Sequence, residues 1–442
     1  MILNPVRDPL HRRRTELVLL ALCAALIAGG FVLVGLGSNK AVPPNIVPVA
    51  VAVFVLFIVA HLGVRRLAPR ADPVIVPLAV QLNGIGYVVI ARLNPHLARQ
   101  QAIWTFIGIV GFVVTLIVVR NVATLARLRF TIGLVGVALL VLPLVPGLGV
   151  RINGARIWVS FAGKVNFQPG EFAKVALAIF FAAYLVENRT LLRTGTFKVG
   201  PFMVPEPRLL SPVLVAWGFS LIVMMFQRDL GSALMFFMLF LTVLWIATER
   251  FSYLAIGSVL FAGGAYFSYA MFGHVRTRVE MWLDPWRDAQ GHGYQIVQAT
   301  YALAWGGVGG TGLGLGLPNR VPVAASDFIF AIIGEELGLA GTVAVVAMFA
   351  LLVGCGLRVA VTSTDGFTKL LAVGLTTLLG VQSFLIMGGV TRLLPLTGLT
   401  LPFVSYGGSS LVSNWIIVAL LVRMSDSVAE RRAGDPASGE TR

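Results

Sequence analysis

The chain has 442 residues, of which 57% are hydrophobic and 12% are charged, and its mean hydropathy is +0.88. This composition excludes an ordinary soluble enzyme, because soluble domains carry about 25% charged residues. The formal net charge is +15, but the basic residues flank apolar runs, so they indicate membrane topology and anionic lipid rather than nucleic acid. Cys23 and Cys355 lie inside apolar runs, which offers no disulfide framework or thiolate metal site.

Apolar runs that match a membrane-spanning helix, which needs about 20 residues, recur along the whole chain. We place twelve, near residues 16–37, 46–64, 73–93, 101–119, 129–149, 169–187, 210–227, 230–248, 252–272, 327–357, 369–390 and 409–425. The first run follows three arginines, is long and lacks a small-residue cleavage site, so we expect a retained anchor. Because the runs are continuously apolar rather than alternating, they predict an all-α, polytopic membrane protein and not a membrane barrel.

An even number of helices puts both chain termini on one side of the membrane. Most of the 34 basic residues fall in segments that are cytoplasmic if the termini are cytoplasmic, so we expect a multi-pass cytoplasmic-membrane protein with that orientation. The longest non-spanning stretch, 273–326, then lies outside the cell and is expected to be functional. We divide the chain into two N-terminal helices with a basic tail (1–71), a core (72–425) and a disordered cytoplasmic tail (426–442).

Two carboxylates lie four residues apart in the outer loop, Asp284 and Asp288. A proline follows Asp284, which is typical of a residue that caps a helix start. Asp288 would lie one turn further on, too late to cap, and burial against Trp282 or Trp286 would make it a better base. Three nearby arginines suit phosphate oxygens or form a solvated basic face: Arg276, Arg278 and Arg287.

The tenth run begins with Asp327, which we expect to be an N-cap, and carries Glu335 and Glu336 deeper in the helix. Carboxylates at such depth are costly, so each must face a polar cavity, pair with a cation or be protonated. Adjacent helical residues diverge by about 100°, so the two need not share a partner. A structural backbone lock and a functional polar lining both remain open.

Two shorter polar constellations flank the sixth to eighth helices. Glu171 and Lys174 are i,i+3 neighbours, which form either an ion pair at the helix end or a polar lining near a substrate. Gln227 and Asp229 lie in a tight turn, where Asp229 could simply cap the eighth helix. The late segment 391–408 combines proline, glycine and hydroxyl residues, and such broken backbone is tolerated at membrane depth only where protein or water satisfies it.

Five motifs in order make the chain resemble the SEDS family of bacterial cell-wall proteins over roughly residues 72–422. They are GARIWV with FQPGE, QRDLGSA, WLDPWRDAQGHGYQ, the glycine run before DFIFAIIGEELG, and LPLTGLTLPFVSYGGSS. The first two helices look like an addition to the ten that the family usually has. The chain departs from the family pattern at Gly170, where Ser is usual, and at Arg228, where Pro is usual.

The resemblance implies a peptidoglycan glycosyltransferase that polymerises lipid II, an undecaprenyl-pyrophosphate-linked disaccharide peptide, at the outer face of the membrane. It also implies a class B penicillin-binding protein as partner and Asp288 as the catalytic base. From their positions in the sequence, Asp284, Asp327 and Glu336 are expected to be structural. The positions implied in substrate binding are Arg156, Trp158, Glu171, Lys174, Gln227, Asp229, Arg276, Arg278, Arg287, Gln295, Glu335 and Ser405. No cofactor is evident, and a divalent cation could help the cationic residues to neutralise the pyrophosphate.

Two rival functions remain open at this point. A transporter that flips lipid II would use the intramembrane charges, such as Glu335, Glu336 and Lys174, whereas the polymerase needs a carboxylate at the outer surface. A non-catalytic scaffold of the elongation or division machinery would need neither set. The short tails favour the elongation branch of the family, the RodA type, over the division branch, the FtsW type.

Overall fold

The computed structural model describes residues 9–37, 46–152, 154–161, 165–193, 197–199, 202–204 and 207–433. Each of the twelve apolar runs predicted from the sequence contains a helix. The chain divides into two compact units, which are described separately. Unit 1 is Met1–Val122, Gln298–Thr364 and Thr400–Arg442, and unit 2 is Ala123–Val297 and Asp365–Leu399.

Unit 1 is a helical bundle in which the last helix is the most enclosed. Its helices are α1 (Pro9–Gly37), α2 (Ile46–Leu67), α3 (Ile75–Leu93), α4 (Pro95–Val118), α14 (Ile329–Thr362) and α16 (Gly408–Ala433). Gly108 on α4 allows α16 to pack closely, because a Cβ there would lie 2.6 Å from Cδ1 of the buried Trp415. Asn94 begins α4 by accepting hydrogen bonds from the backbone of His96 and Leu97, with a proline at the first helical position.

A buried polar cluster ties the first two helices to the rest of unit 1. The Glu16 carboxylate pairs with Arg13, and its Oε1 atom lies 2.9 Å from Nδ1 of His61 on α2. Arg13 also donates to the carbonyl of Ala71, and α1 and α2 pack against α3 and α4. The first two helices therefore pack within unit 1.

Unit 2 is built around α7, which packs against α6, α10 and α15. Its longer helices are α6 (Arg129–Val141), α7 (Gly170–Glu187), α9 (Pro207–Gln227), α10 (Leu230–Thr248), α11 (Phe251–Met271) and α15 (Gly366–Val390). Three shorter ones are α5 (Ala123–Arg127), α8 (Arg189–Arg193) and α12 (Gly273–Leu283). The helix α13 (Tyr294–Gly306) begins in unit 2 and ends in unit 1.

Two small antiparallel sheets in unit 2 were not predicted. The first has the order β1 (Gly149–Ile152), β2 (Ala155–Phe161), β3 (Val165–Phe167), and pairs Val150 with Trp158 and Val159 with Phe167. The second is the hairpin of β4 (Phe197–Val199) and β5 (Phe202–Val204). The prediction of an all-α class is nevertheless confirmed, because these short strands only decorate connections between helices.

Among the described residues, eight helices are long and apolar enough to cross a membrane: α1, α3, α4, α10, α11, α14, α15 and α16. The helix α6 is apolar but short, and α7 carries Glu171, Lys174 and Glu187. The prediction of a polytopic membrane protein is therefore confirmed. Eight such helices are enough for a polytopic membrane protein, whatever the apolarity of the other predicted helices.

Several predicted ends of helices are wrong. The helix α1 begins at Pro9 and includes three arginines that we placed before it. The helix α14 begins at Ile329 after Phe328, so Asp327 is not its N-cap. The helix α16 continues to Ala433, eight residues into the predicted tail, and residues 434–442 lie outside the described residues.

Candidate functional site

Asp284 and Asp288 bracket a short 3-10 helix, Pro285–Asp288, between α12 and α13. Pro285 is buried at the start of this turn, and Oδ1 of Asp284 accepts a hydrogen bond from the backbone of Trp286 at 3.1 Å. The Asp-Pro pair thus starts a helical turn, as its chemistry favours, although the turn is a single 3-10 turn and not an α-helix. Asp284 is exposed and acts in the structure as a cap.

Asp288 ends this turn, with one carboxylate oxygen bound and the other open. Its Oδ2 atom accepts a hydrogen bond from the backbone of His292 at 2.8 Å, in the turn that precedes α13. Its carbonyl accepts from the backbones of Gly291 and Gly293. Among the described residues, no hydrogen bond to Oδ1 is formed. The half-buried Asp288 therefore presents a carboxylate that is hydrogen-bonded at Oδ2 and free at Oδ1.

The two tryptophans in and beside the turn differ in their surroundings. Trp286 is 46% exposed, and the indole nitrogen of Trp282 donates to the carbonyl of Arg392 at 2.9 Å. In return, Nη2 of Arg392 donates to the carbonyls of Trp282 and Leu283 at 3.4 and 3.3 Å. This reciprocal contact, which we call the Trp282–Arg392 clasp, fixes the end of α12 just before the Asp284–Asp288 turn.

Arg278 reinforces the same attachment one helical turn earlier. Its Nη1 atom donates to the carbonyls of Thr397 and Leu396 at 3.1 and 3.4 Å. Arg278 and Trp282 are i,i+4 neighbours on α12, so both reach the segment 391–398 from one helix face. The Arg278 guanidinium is thus occupied by backbone carbonyls, which weakens its predicted role as a phosphate ligand.

Glu171 and Lys174 form a buried ion pair in α7. Glu171 Oε2 lies 2.5 Å from Lys174 Nζ, and the two side chains are 4% and 0% exposed. The ammonium also donates to Oε1 of Gln382 on α15 at 2.9 Å. Of the two interpretations that the sequence left open, the geometry shows the ion pair. Lys174 is enclosed, so it is not presented to a pyrophosphate.

The turn Gln227–Asp229 lies between α9 and α10. Gln227 is buried and donates to the carbonyl of Leu140 at 2.6 Å, and Asp229 caps α10 by accepting from the backbone of Ser232 at 3.0 Å. Arg228 has a φ of 62°, in the left-handed region. A proline, which is usual here in the family, has φ near −65° and could not adopt this conformation. The backbone of this turn therefore differs from that of a family member with proline at this position.

Charged residues of this turn interact with charged residues of α7 and α12. Burial raises the pKa of the Asp229 carboxyl above its usual value; hydrogen bonds from Ser232 oppose the rise, Glu171 adds to it, and Arg278 opposes it. Burial lowers the pKa of His274 on α12, and Arg228 and Arg278 lower it further. These groups therefore form one charged cluster at the end of unit 2 that carries α12.

The remaining predicted cations differ in their availability. Arg276 is exposed, donates to the carbonyl of Ala270 at 3.4 Å, and lies over the ring of Tyr269. Arg287 is exposed beside Asp288, with no ion pair among the described residues. Arg156 donates weakly to the carbonyl of Val145 from β2, which also carries the half-buried Trp158. Gln295, in the first turn of α13, is half-buried and follows the Asp288 turn in sequence.

Glu335 and Glu336 act in unit 1 as a lock on a glycine-rich loop. Oε1 of Glu335 accepts from the backbone of Leu317 at 2.8 Å, and Oε2 of Glu336 accepts from the backbone of Gly314 at 3.0 Å. Arg92 on α3 pairs with Glu336 at 3.6 Å and also donates to the carbonyl of Gly314. The backbone lock is therefore the interpretation that the contacts favour, and they give no support to substrate binding by Glu335.

The break in α14 belongs to the same lock. Gly338 has φ 65° and ψ −162° inside the helix, and the next residue, Leu339, donates its backbone N–H to the carbonyl of Gly307. A Cβ at Gly338 would lie 2.3 Å from the backbone nitrogen of Gly310, so only glycine fits at this crossing. The glycine run before DFIFAIIGEELG is explained by this close backbone contact.

Ser405 has a structural position in unit 1. Its hydroxyl donates to the carbonyl of Ser326 at 2.5 Å and accepts from the backbone of Leu401 at 2.9 Å. The next residue, Tyr406, donates its backbone N–H to the carbonyl of Ala325. Ser405 is 3% exposed and is enclosed by these contacts, so the substrate-binding role suggested for it has no support here.

Sequence reasoning missed the residues that support the site from a distance. Gln382 lies inside an apolar run, and Arg392 lies in a turn between the predicted helices. A lone polar residue within an otherwise apolar helix was the available signal for Gln382, because such a residue needs a partner in a membrane. Nothing in the local sequence marks Arg392 as the partner of Trp282.

Within the described ranges, no group of three or more His, Cys, Asp or Glu side chains could hold a metal ion. Asp284 and Asp288 are near one another in sequence, but both carboxylates accept backbone hydrogen bonds.

Comparison with known proteins identifies the family. The model of the FtsW/RodA/SpoVE cell cycle protein family matches residues 73–430. The peptidoglycan glycosyltransferase RodA of Mycobacterium tuberculosis is 43% identical over 426 residues, which cover 94% of this chain and 90% of that protein. The portion left uncovered is too short to contain both α1 and α2, so the similarity extends into the two helices that precede the family match.

Solved structures agree with this family. A chain from a structure describing the coordination of polymerization and crosslinking by a peptidoglycan synthase complex has a TM-score of 0.64 and 25% identity. It covers 83% of this chain and 99% of its own length. Thermus thermophilus RodA has the same fold, with a TM-score of 0.57 at 24% identity over 80% of this chain and 96% of its own. The chain therefore belongs to the FtsW/RodA/SpoVE family of cell cycle proteins, in which it is of the RodA type.

Proposed function

We propose that the chain is a peptidoglycan glycosyltransferase that polymerises lipid II, with Asp288 as its general base. The observation that carries the activity is the 43% identity to the mycobacterial RodA glycosyltransferase over 94% of the chain. The observation that carries the residue is the geometry of Asp288, which has one oxygen held by the backbone of His292 and one free oxygen. A base needs such a free acceptor within reach of the proton that it takes.

The reaction needs only one proton transfer, from the acceptor sugar to a side chain of the protein. A sugar hydroxyl of the acceptor gives its proton to Oδ1 of Asp288, and its oxygen forms the new bond to the anomeric carbon of the donor. The bond from that carbon to the lipid pyrophosphate breaks, and the electron pair leaves with the pyrophosphate. Because pyrophosphate is a good leaving group, no general acid is required, unlike in a glycosidase.

The pyrophosphate leaving group needs positive charge near it. The exposed arginines are better placed to provide this charge than cations that are already bound by other protein groups. Arg276 on α12 and Arg287 within the Asp284–Asp288 turn are both exposed, whereas Arg278 and Lys174 are held by protein partners. Guanidinium groups bind phosphate oxygens with two parallel hydrogen bonds. A divalent cation bound by the pyrophosphate oxygens could share this task, and treatment with a chelator would test for one.

The orientation follows from the basic residues. The termini are proposed to be cytoplasmic, which puts the segment with Asp288 after an odd number of spans and therefore outside the cytoplasm. Polymerisation at this face supplies glycan strands where the cell wall is assembled. The similarity to a chain of a peptidoglycan synthase complex supports a class B penicillin-binding protein as the crosslinking partner.

In the structure, the intramembrane charges that a transporter would use are held by other groups of the protein. Glu336 is paired with Arg92 and the backbone of Gly314, Glu335 binds the backbone of Leu317, and Lys174 is paired with Glu171. Charges that are held this way support helix packing more than a path for a charged headgroup. We therefore favour the polymerase over the flippase and over a scaffold.

Reconstitution separates these functions. The purified full-length chain, with its penicillin-binding partner, is incubated in detergent with labelled lipid II, and the glycan products are separated by electrophoresis. The polymerase predicts a ladder of glycan polymers that does not form without the chain. In a detergent solution no compartment exists, so a flippase or a scaffold would leave lipid II unpolymerised, and that result would contradict the proposal.

A further inference from the structure

Gly291 lies directly against the Asp288 carboxylate. An ideal Cβ at position 291 would be 2.5 Å from Oδ1 and 2.5 Å from Oδ2 of Asp288. Such distances are far inside van der Waals contact, so any side chain at this position would collide with both oxygens. The Asp288 carboxylate can therefore hold its present position only because residue 291 has no Cβ.

The backbone of Gly291 does not itself demand glycine. Its φ is not in the left-handed region, in contrast to that of Gly310 or Gly312 in the following loop. Its backbone N–H donates to the carbonyl of Asp288 at 3.2 Å, a bond that alanine would also make. Since neither the backbone conformation nor the hydrogen bond requires glycine, the constraint on position 291 is the space beside Asp288.

Gly293 has a different role in the same turn. A Cβ there would lie 2.1 Å from the carbonyl oxygen of Pro285 and 2.9 Å from that of Asp288. These are backbone atoms that cannot rotate away, so a substitution at 293 would disrupt the turn itself. At 291 the atoms in the way belong to a half-exposed side chain that can rotate, so the fold would tolerate alanine at little cost.

We propose that Gly291 is a positioning residue, which keeps the Asp288 carboxylate on the His292 N–H and leaves room for the acceptor hydroxyl at Oδ1. Alanine at this position would push the carboxylate off the hydrogen bond from His292 and fill the space where the hydroxyl would bind. The expected loss of activity rests on the proposed function of Asp288 as the general base. The expected displacement of the carboxylate from the His292 N–H does not.

The test compares Gly291→Ala with Gly273→Ala in the full-length chain together with its partner. Gly273, at the start of α12, has nothing within 4 Å of an added Cβ and no left-handed φ, so it controls for a glycine-to-alanine change in the same segment. A misplacement of about 1 Å in a catalytic group costs on the order of 10²-fold in rate. We expect kcat for lipid II polymerisation to fall by about that factor in Gly291→Ala. The thermal midpoint and the Gly273→Ala rate should be unchanged.

A second measurement reports the geometry without using activity. Rapid amide hydrogen exchange of the segment 289–294 should show faster exchange at His292 in Gly291→Ala, because its N–H has lost the carboxylate. Asp288→Ala should give the same increase, and the double variant should give no more than either single one. Additive increases, or no increase in Gly291→Ala, would overturn the inference.

The two arms also separate this inference from the proposed function. If Asp288→Ala is inactive while Gly291→Ala polymerises at the wild-type rate, the positioning role is wrong and the general base stands. If Asp288→Ala polymerises normally, the proposed role of Asp288 is wrong, whatever the exchange data show about Gly291.

Discussion

Removal of the Glu171 carboxylate is the change that tests the structural account of unit 2 most severely. Glu171→Ala would leave the Lys174 ammonium, which is 0% exposed, with the neutral Gln382 oxygen at 2.9 Å as its remaining partner among the described residues. Breaking a buried ion pair in this way costs about 3–5 kcal/mol, because an uncompensated charge stays buried. That corresponds to a roughly 10²- to 10⁴-fold fall in the ratio of folded to unfolded protein.

The same helix provides the control. Glu187, at the other end of α7, pairs with Arg129, but its side chain is 53% exposed, and exposed pairs contribute about 0–1 kcal/mol. Thermal unfolding in detergent, followed by size-exclusion chromatography, should show a large loss for Glu171→Ala and almost none for Glu187→Ala. The double variant Glu171→Gln with Lys174→Met removes both charges and should recover most of the stability. Equal stability of the two single variants would refute the reasoning.

Two further predictions concern charge and topology. Asp229→Asn should keep the cap on α10, since Asn caps as well as Asp, and should remove a pH dependence. Burial raises the pKa of Asp229 in the folded state, so the wild type should lose stability as the pH rises from the usual pKa of Asp through the raised one. The variant should not show this loss. Identical pH profiles of unfolding for the two proteins would contradict this prediction. For topology, Gln290→Cys in the Asp288 loop should react with an impermeant thiol reagent in intact cells, whereas Thr364→Cys between α14 and α15 should react only after permeabilisation. The native Cys23 and Cys355 are buried and should not react with the reagent. The reverse pattern of labelling would contradict the proposed orientation.

The helices could be predicted because each is specified by its own composition. A continuous apolar run of about 20 residues identifies a spanning helix without knowledge of its neighbours. The ends could not be predicted as well, since a helix end depends on what the flanking residues contact. The start of α1 at Pro9 is an example, because the buried Arg13 there pairs with Glu16 and the carbonyl of Ala71. The short strands β1–β3 carry no long alternating pattern that would reveal them.

The candidate site was predictable in part for the same physical reason. Local chemistry marked the Asp284–Pro285 turn start and the i,i+3 pair of Glu171 with Lys174, and the structure forms both contacts. It could not show that Arg278 would be used by the carbonyls of the segment 391–398, because that contact joins residues more than a hundred positions apart. The expected cap by Asp327 was wrong because the chain enters α14 through Phe328.

The central claim is that Asp288 is the general base, and the rate of lipid II polymerisation by Asp288→Asn tests it most directly. Asparagine keeps the size of the side chain and an oxygen for the His292 N–H, but it cannot take a proton from the acceptor hydroxyl. The account predicts a fall of about 10²- to 10⁴-fold in rate, with folding and partner binding retained and with Asp284→Asn only mildly affected. A wild-type rate for Asp288→Asn would contradict it, and a loss confined to Asp284→Asn would move the base to the other end of the turn.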